Sequence, residues 1–325
     1  MKFVMNVPKL SIGMPVYNGE LYLESAVESH LEQDYTDFEL IILDNASTDA
    51  TPQICQRLAA RDVRIRYYTN ETNIGASANY NRVFALARGE LFKWAAHDDL
   101  LLPGFLSRCV EVLEKAPPTV ALVAPRTEII DKDGRRTMLA ERLHTARSRP
   151  HERVADVLRR VDWATAQFGI FRSKMLRKTR LIDRFPACDW VLLLEVAILG
   201  EIWEIPEILF QRRFHSGVST YANKTLTELL QWFDPSQNGK RLFFSGIEPA
   251  LEPRVRLWWE YARSIARMPM LVHERLLCFS VASLIWFARE TLRLSTEYRC
   301  RLHNKFKKSL RSQRRRHDAP CQGVK

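Results

Sequence analysis

Residues 38–52 read Phe-Glu-Leu-Ile-Ile-Leu-Asp-Asn-Ala-Ser-Thr-Asp-Ala-Thr-Pro. The run 38–43 is almost continuously apolar, the pattern of a central parallel strand buried on both faces. Asp44–Asp49 then turns polar within one residue. Thr51-Pro52 reads as an N-cap with proline at the first helical position, opening a helix to about Ala60. Strand, polar loop and helix make one βα unit, and the unit recurs on either side. Leu10–Met14 is a strand closed by Pro15 and followed by a helical stretch from about Glu20 to Leu31. Arg64–Tyr68 is a strand, Ala76–Arg88 a helix ended by Gly89, and Leu91–Ala95 a fourth strand. Pro103–Lys115 and Val120–Pro125 continue the alternation. Repeated βα units predict an α/β fold, a mostly parallel sheet flanked by helices. Such sheets bind ligands beyond the carboxyl ends of their strands.

Between about 126 and 220 the pattern loosens. Gln167–Phe171 and Glu207–Phe214 look like strands, and Arg153–Val161 and Trp190–Leu199 look helical, the latter stopped by Gly200. Beyond 220 the pattern is helical over Lys224–Phe233, Pro253–Arg267 and His273–Arg293. The expected organisation is a catalytic α/β domain over 1–220, a helical extension over 221–300 and a basic tail over 301–325. A length of 325 residues suits two domains, or one α/β domain with an appendage. The net charge of +11 is concentrated: residues 1–220 hold 29 Lys+Arg and 29 Asp+Glu, whereas residues 221–325 hold 20 and 9. Six cysteines without a C-x-x-C pair read as reduced thiols. No apolar run precedes Pro8, so no signal peptide is expected, and the expected location is cytoplasmic.

The residues that follow the strands are specific. Pro15-Val16-Tyr17-Asn18-Gly19 follows the first, Asp44–Thr51 the second, Asn70–Gly75 the third, and His97-Asp98-Asp99 the fourth. Each alone is a turn, a helix-entry loop or a solvated corner. Four in succession at one edge of a sheet are a site. None of the twelve glycines forms G-x-G, and the P-loop, H-E-x-x-H and G-x-S-x-G patterns are absent. The rim therefore offers carboxylates and amides without a glycine cradle. A diphosphate bound there needs its charge offset, and a divalent cation on hard oxygen ligands is the natural means.

Pro15–Asn18, Asp44–Asp49, Asn73-Ile74-Gly75 and His97-Asp98-Asp99 resemble, in order, the motifs of family 2 glycosyltransferases with the GT-A fold. The resemblance continues through Pro186-Ala187-Cys188-Asp189-Trp190, Gly200 and Arg213-Phe214-His215, covering about 10–215. It implies that Asp44 accepts the N3–H of a uracil or thymine base while Pro15, Val16, Tyr17 and Asn18 line the nucleoside pocket, with Asn73 also on the nucleotide-sugar side. It implies Asp98 near the ribose or sugar, Asp99 on Mn²⁺ or Mg²⁺, and His215 near the metal or diphosphate. Asp189 matches the catalytic base, and Arg213 is a cation that could offset the departing diphosphate. A base that deprotonates an acceptor hydroxyl and charge stabilisation on the leaving group are what such a transfer needs. His97, Cys188 and Glu195 depart from the family pattern, which more often has an acid, a glutamate and an arginine there. Asp189 as a helix cap, and Trp163 and Gln167–Phe168 as either acceptor-pocket lining or core, are the competing local readings.

The resemblance implies an inverting, metal-dependent transfer from a nucleotide-activated sugar to a saccharide or lipid-linked acceptor. A nucleotidyltransferase is the alternative enzyme, but no basic glycine-rich loop near the N-terminus is available to hold a triphosphate. A nucleic-acid-binding protein acting through the basic tail lacks any RNP-like motif or zinc-finger spacing. Leu276–Ala288 is uncharged but too short for a bilayer span of about 20 residues. Residues 301–316 carry eight Lys+Arg and no acid. The stretch 276–316 is thus expected either to attach peripherally to an anionic membrane or to pack on the catalytic domain or a second copy.

Overall fold

The computed structural model describes residues 7–217, 222–223, 225–236, 252–291 and 293. Strands β1 (Leu10–Val16), β2 (Phe38–Asp44), β3 (Ile65–Thr69) and β4 (Leu91–Trp94) run parallel in the order β3-β2-β1-β4. Every residue of β1 and β2 is buried, because helices cover both faces of this half of the sheet. That is why 38–43 shows no alternation. The connecting helices are α1 (Leu23–Leu31), α2 (Thr51–Arg61) and α3 (Ala76–Ala85).

Beyond β4 the sheet is mixed. β8 (Ile170–Arg172) pairs antiparallel with β4 and with β6 (Val120–Ile130), and β9 (Glu201–Arg213) runs parallel to β6. The short strands β5 (Leu100–Leu101) and β7 (Arg136–Leu139) pair antiparallel with β9 and β6. Helices α4 (Phe105–Lys115), α5 (Pro150–Arg160), α6 (Ser173–Leu176) and α7 (Cys188–Leu199) complete this half.

Several local expectations shift. The strand expected at Gln167–Phe171 is a 3-10 turn over Thr165–Phe168 followed by β8. The turn presents the Phe168 carbonyl to Lys93, a fully buried β4 side chain whose Nζ donates to it at 2.8 Å and to the Trp94 carbonyl at 3.0 Å. Buried ammonium groups need such acceptors. Thr51 is not an N-cap: α2 starts on it, and its hydroxyl accepts the Gly19 N–H at 2.8 Å. α1 starts at Leu23 because Glu20 is engaged elsewhere, donating its N–H to Asp49 and accepting the Ala50 N–H. α3 ends at Ala85, and Gly89 serves close packing instead, since a Cβ there would lie 2.7 Å from the Ser11 nitrogen.

The C-terminal helices Leu226–Phe233, Glu252–Arg267 and 272–291 follow β9, the first opened by a capping box between Thr225 and Glu228. Tyr261, Ile265, Met268, Cys278 and Ala282 share one apolar core with the sheet. The 301–325 tail lies outside the described residues.

A buried polar network fastens these helices to α7. Glu195, on α7, accepts from Arg180 Nε at 3.0 Å, Ser264 Oγ at 2.7 Å and Arg267 at 3.2 Å. Arg180 also donates to Glu260 at 2.6 Å and to Ser264 at 2.8 Å. The acid found where the family more often has an arginine is therefore the anchor of the C-terminal helices. Arg180 lies between two almost fully buried carboxylates. Removing one partner of such a cluster leaves charge buried and uncompensated, at a cost of about 3–5 kcal/mol. Arg180→Met is expected to lower stability by that order, read by urea unfolding, with Arg263→Met, on the exposed side of Glu260, changing it little.

Candidate active site

The carboxyl ends of β1, β2, β3, β4 and β9 converge with the start of α7. After β1 the chain turns sharply: Asn18 takes a left-handed φ of 50°, which asparagine tolerates. Its N–H donates to Ser47 Oγ at 2.9 Å, and its Oδ1 accepts the Thr48 N–H at 2.9 Å. Pro15 and Val16 are buried in β1, and Tyr17 stands exposed at the rim. The loop that resembles the nucleoside pocket is thus fixed before any ligand arrives.

Asp44 ends β2 and is 1% exposed; its Oδ1 accepts the Ser47 N–H at 2.9 Å and its Oδ2 the Tyr67 hydroxyl at 3.3 Å. Each carboxylate oxygen keeps a second lone pair, so a base N–H can still be accepted. Asn73 is tied into an amide network: Asn45 Nδ2 donates to its Oδ1 at 2.9 Å, and Asn70 Nδ2 donates to Asn45 at 2.8 Å and Asn79 at 2.9 Å. This network locks the ends of β2 and β3 onto α3. Gly75 must be glycine, having φ 82° and the Phe233 carbonyl oxygen 2.6 Å from where a Cβ would stand.

At the end of β4, Asp98 Oδ2 meets His215 Nε2 at 3.0 Å. Burial opposes the Asp98 charge, but that bond and the nearby His97 hold its carboxyl below its ordinary value. Asp99 is only 4% exposed and accepts the backbone N–H of Arg213 at 2.8 Å. Burial and the Asp98 charge push the Asp99 carboxyl well up, against the pull of Arg212. His215 stacks on Tyr22 with ring centroids 4.8 Å apart. His97 lies against Gly19.

Among the described residues, no group of three or more His, Cys, Asp or Glu is arranged to hold a metal ion unaided. The donors that do meet here, Asp99 and the Asp98–His215 pair, suit the arrangement in which Mg²⁺ or Mn²⁺ takes one or two protein ligands and shares the rest with substrate phosphates and water.

Asp189 sits in the first turn of α7, and the N-cap position is Ala187, at a left-handed φ of 65°. The Asp189 carboxylate accepts the adjacent Trp190 N–H at 3.0 Å. Burial pushes its pKa up, opposed by Arg212. Its neighbour Cys188 is buried, which raises its thiol pKa and leaves it a packing residue.

Arg213 and Arg212 divide their work by strand alternation. Arg213 is 7% exposed, donates to the carbonyls of Asp98 and Lys132 and lies over the Tyr22 ring at 4.7 Å. Its guanidinium braces the loop after β4 and the hairpin after β6. Arg212 points the other way, over Trp163 at 5.8 Å, and its charge reaches Asp99, Asp189 and Glu141. No motif in the sequence points to Arg212, Glu141 or Tyr80. Tyr80, on α3, is near Asp98, Asp99 and Asp189. The alternation along β9 was the one available signal for Arg212. Trp163 supports Arg212 at the rim, whereas Gln167 and Phe168 are buried.

A base acts only as carboxylate, so activity falls as pH drops through its pKa, and a raised pKa places that acidic limb above the ordinary aspartate range. Arg212→Gln removes the cation that favours the Asp189 carboxylate. It is expected to move the acidic limb of kcat/KM to higher pH, whereas Arg213→Gln lowers thermal stability and leaves the limb in place. Superimposable limbs for Arg212→Gln and the parent chain would refute the assignment.

The parallel β3-β2-β1-β4 half, the mixed half beside it and the acidic pair at the strand ends define a GT-A nucleotide-diphospho-sugar transferase fold. Solved structures agree. Staphylococcus aureus TarS residues 1–349 in complex with UDP-GlcNAc superpose with a TM-score of 0.53 at 16% identity, covering 87% of this chain and 92% of that one. The mannosyltransferase PcManGT from Pyrobaculum calidifontis, in complex with GDP-Man and Mn²⁺, gives 0.50 at 17% identity over 94% and 83%. The chain belongs to glycosyl transferase family 2, whose family model matches residues 11–180. It is 36% identical over 129 residues to the Campylobacter jejuni GalNAc(5)-diNAcBac-PP-undecaprenol beta-1,3-glucosyltransferase, covering 39% of this chain and 40% of that protein. An uncharacterized Mycobacterium tuberculosis protein is 34% identical over 215 residues, 64% of this chain and 59% of its own length. The matches thus span less than two thirds of these relatives.

Proposed function

We propose that the chain is an inverting glycosyltransferase that moves a sugar from a UDP- or dTDP-linked donor to an acceptor hydroxyl, in glycan or cell-surface polysaccharide synthesis. The observation that carries this reading is the meeting of Asp98–His215, Asp99, Arg212 and Asp189 at the strand ends. The rigid loops after β1 and β2 bind the nucleoside, and the second lone pairs of Asp44 accept a donating base edge. Asp99, with the Asp98–His215 pair, would hold a divalent cation on the diphosphate side of the site. When bound, Mn²⁺ or Mg²⁺ neutralises charge that develops on the leaving diphosphate.

On the acceptor side, Asp189 takes the hydroxyl proton as that oxygen attacks the anomeric carbon. The bond to the diphosphate oxygen breaks with its electron pair on the leaving group, and one displacement inverts the centre. The raised pKa of Asp189 makes it a stronger base than an exposed aspartate. A saccharide or lipid-linked acceptor supplies the hydroxyl. The C. jejuni relative is named for an undecaprenol-linked substrate, which supports testing lipid-linked acceptors first.

The test is a panel of UDP-, dTDP- and GDP-sugars incubated with the full chain and Mn²⁺, reading release of the nucleoside diphosphate. Turnover of a UDP- or dTDP-sugar that EDTA abolishes is expected. Release of pyrophosphate from UTP and a sugar phosphate, without sugar-nucleotide turnover, would instead identify a nucleotidyltransferase.

A further inference from the structure

The helix 272–291 has two unlike sides. Cys278 and Ala282 are buried in the shared core, and Trp258, from the preceding helix, meets Trp286 tilted at 6.3 Å and Phe279 edge-on at 6.0 Å. His151 on α5 meets Glu274 at 2.7 Å, and Arg289 donates to the Leu158 carbonyl at 2.6 Å. The helix is therefore fixed in place, and its outer side is fixed with it. That outer side carries Val272, Leu276, Leu284 and Phe287, with Leu276 65%, Leu284 70% and Phe287 58% exposed. Between 276 and 288 no charged residue interrupts it. A rigid apolar stripe of this kind on a water-facing helix marks an interaction surface.

We propose that this face docks on an anionic lipid bilayer. The occupant follows from charge and length. Residues 301–316, beyond the helix, carry eight Lys+Arg and no acid. A second copy would only add further charge of the same sign, whereas an anionic leaflet attracts each nearby cation by about 1 kcal/mol. The uncharged stretch 276–288 spans only about 20 Å as a helix, against a hydrocarbon core of about 30 Å. Among the described residues no helix is long and apolar enough to cross a membrane. The helix accordingly lies in the interface, with its apolar side chains below the headgroups. Arg289 lies over the Trp190 ring at 5.4 Å, next to Asp189. Docking therefore holds the base helix against the surface on which a lipid-linked acceptor would be presented.

The docking is independent of what the site transfers, only its consequence for the acceptor rests on the proposed function, and the experiment keeps the two apart. The full chain is sedimented with vesicles of phosphatidylcholine containing increasing phosphatidylglycerol, at low and high salt. The variants are Leu276→Ser/Phe287→Ser and Leu284→Ser, both checked for unchanged melting and donor hydrolysis, and the chain truncated after Cys300. Binding should rise with anionic lipid and fall with salt. The double variant should weaken it at least tenfold, Leu284→Ser by less, and the truncation should remove its salt dependence. No binding at any lipid content overturns the inference. So does binding that both stripe variants leave unchanged, or a dimer that the double variant dissolves and that does not bind vesicles.

Discussion

Asp189→Asn is expected to reduce kcat by about 10²–10⁴-fold, the usual consequence of removing a general base, while donor affinity stays near that of the parent chain. Asparagine keeps the Oδ1 that accepts the Trp190 N–H, so the geometry at the start of α7 survives. What it loses is the ability to take a proton. The fold should not suffer. A carboxyl whose folded pKa is raised above its unfolded value binds protons more tightly in the native state, so its contribution to stability falls as pH rises through that pKa. At neutral pH the charged form is a burden that asparagine removes. Asp189→Asn should therefore be as stable as the parent chain, or more so, while catalytically crippled. Comparable kcat for the two would show that another group deprotonates the acceptor.

Asp99 gives the second large effect, and the choice of variant decides whether it can be read. The sequence suggests a solvent-facing loop acid, but Asp99 is buried and accepts the Arg213 N–H. Asp99→Ala would leave that N–H without an acceptor, at about 1–3 kcal/mol, and would confuse misfolding with loss of metal. Asp99→Asn keeps an acceptor for that N–H and removes the carboxylate that a cation would bind. Because a bound cation contributes several kcal/mol of transition-state stabilisation, Asp99→Asn should lose at least about 10²-fold in turnover. It should also lose the Mn²⁺ dependence of UDP binding, measured by calorimetry, with little change in melting. Near-parental turnover by Asp99→Asn in the presence of EDTA would remove the metal from the mechanism.

Much of the first half of the chain is legible because its physics is local. Buried parallel strands such as 38–43 write themselves as unbroken apolar runs, and the polar residues at their ends can be placed at one edge without knowing the structure. The mixed half is less legible. β5 has two residues and β7 four exposed ones, too few to show a period, and β5 pairs with a strand about 110 residues further along the chain. The 3-10 turn at Thr165–Phe168 answers to a buried lysine on another strand. At the site, the family resemblance points to Asp44, Asp98, Asp99 and Asp189 but not to which arginine faces them. Alternation says only that Arg212 and Arg213 face apart; the Arg213 guanidinium, donating to the carbonyls of Asp98 and Lys132, settles which is buried. Glu195 looks anomalous in the sequence because its partners Ser264 and Arg267 lie about seventy residues away.

The proposed transfer is a single displacement at one carbon, assisted by Asp189. Its most direct measurement is the anomeric configuration of the product, followed by proton NMR during turnover of whichever donor the panel selects. An α-linked nucleotide sugar should give a β-linked product from the first observable signal. A product with the α configuration of the donor would rule out a single displacement.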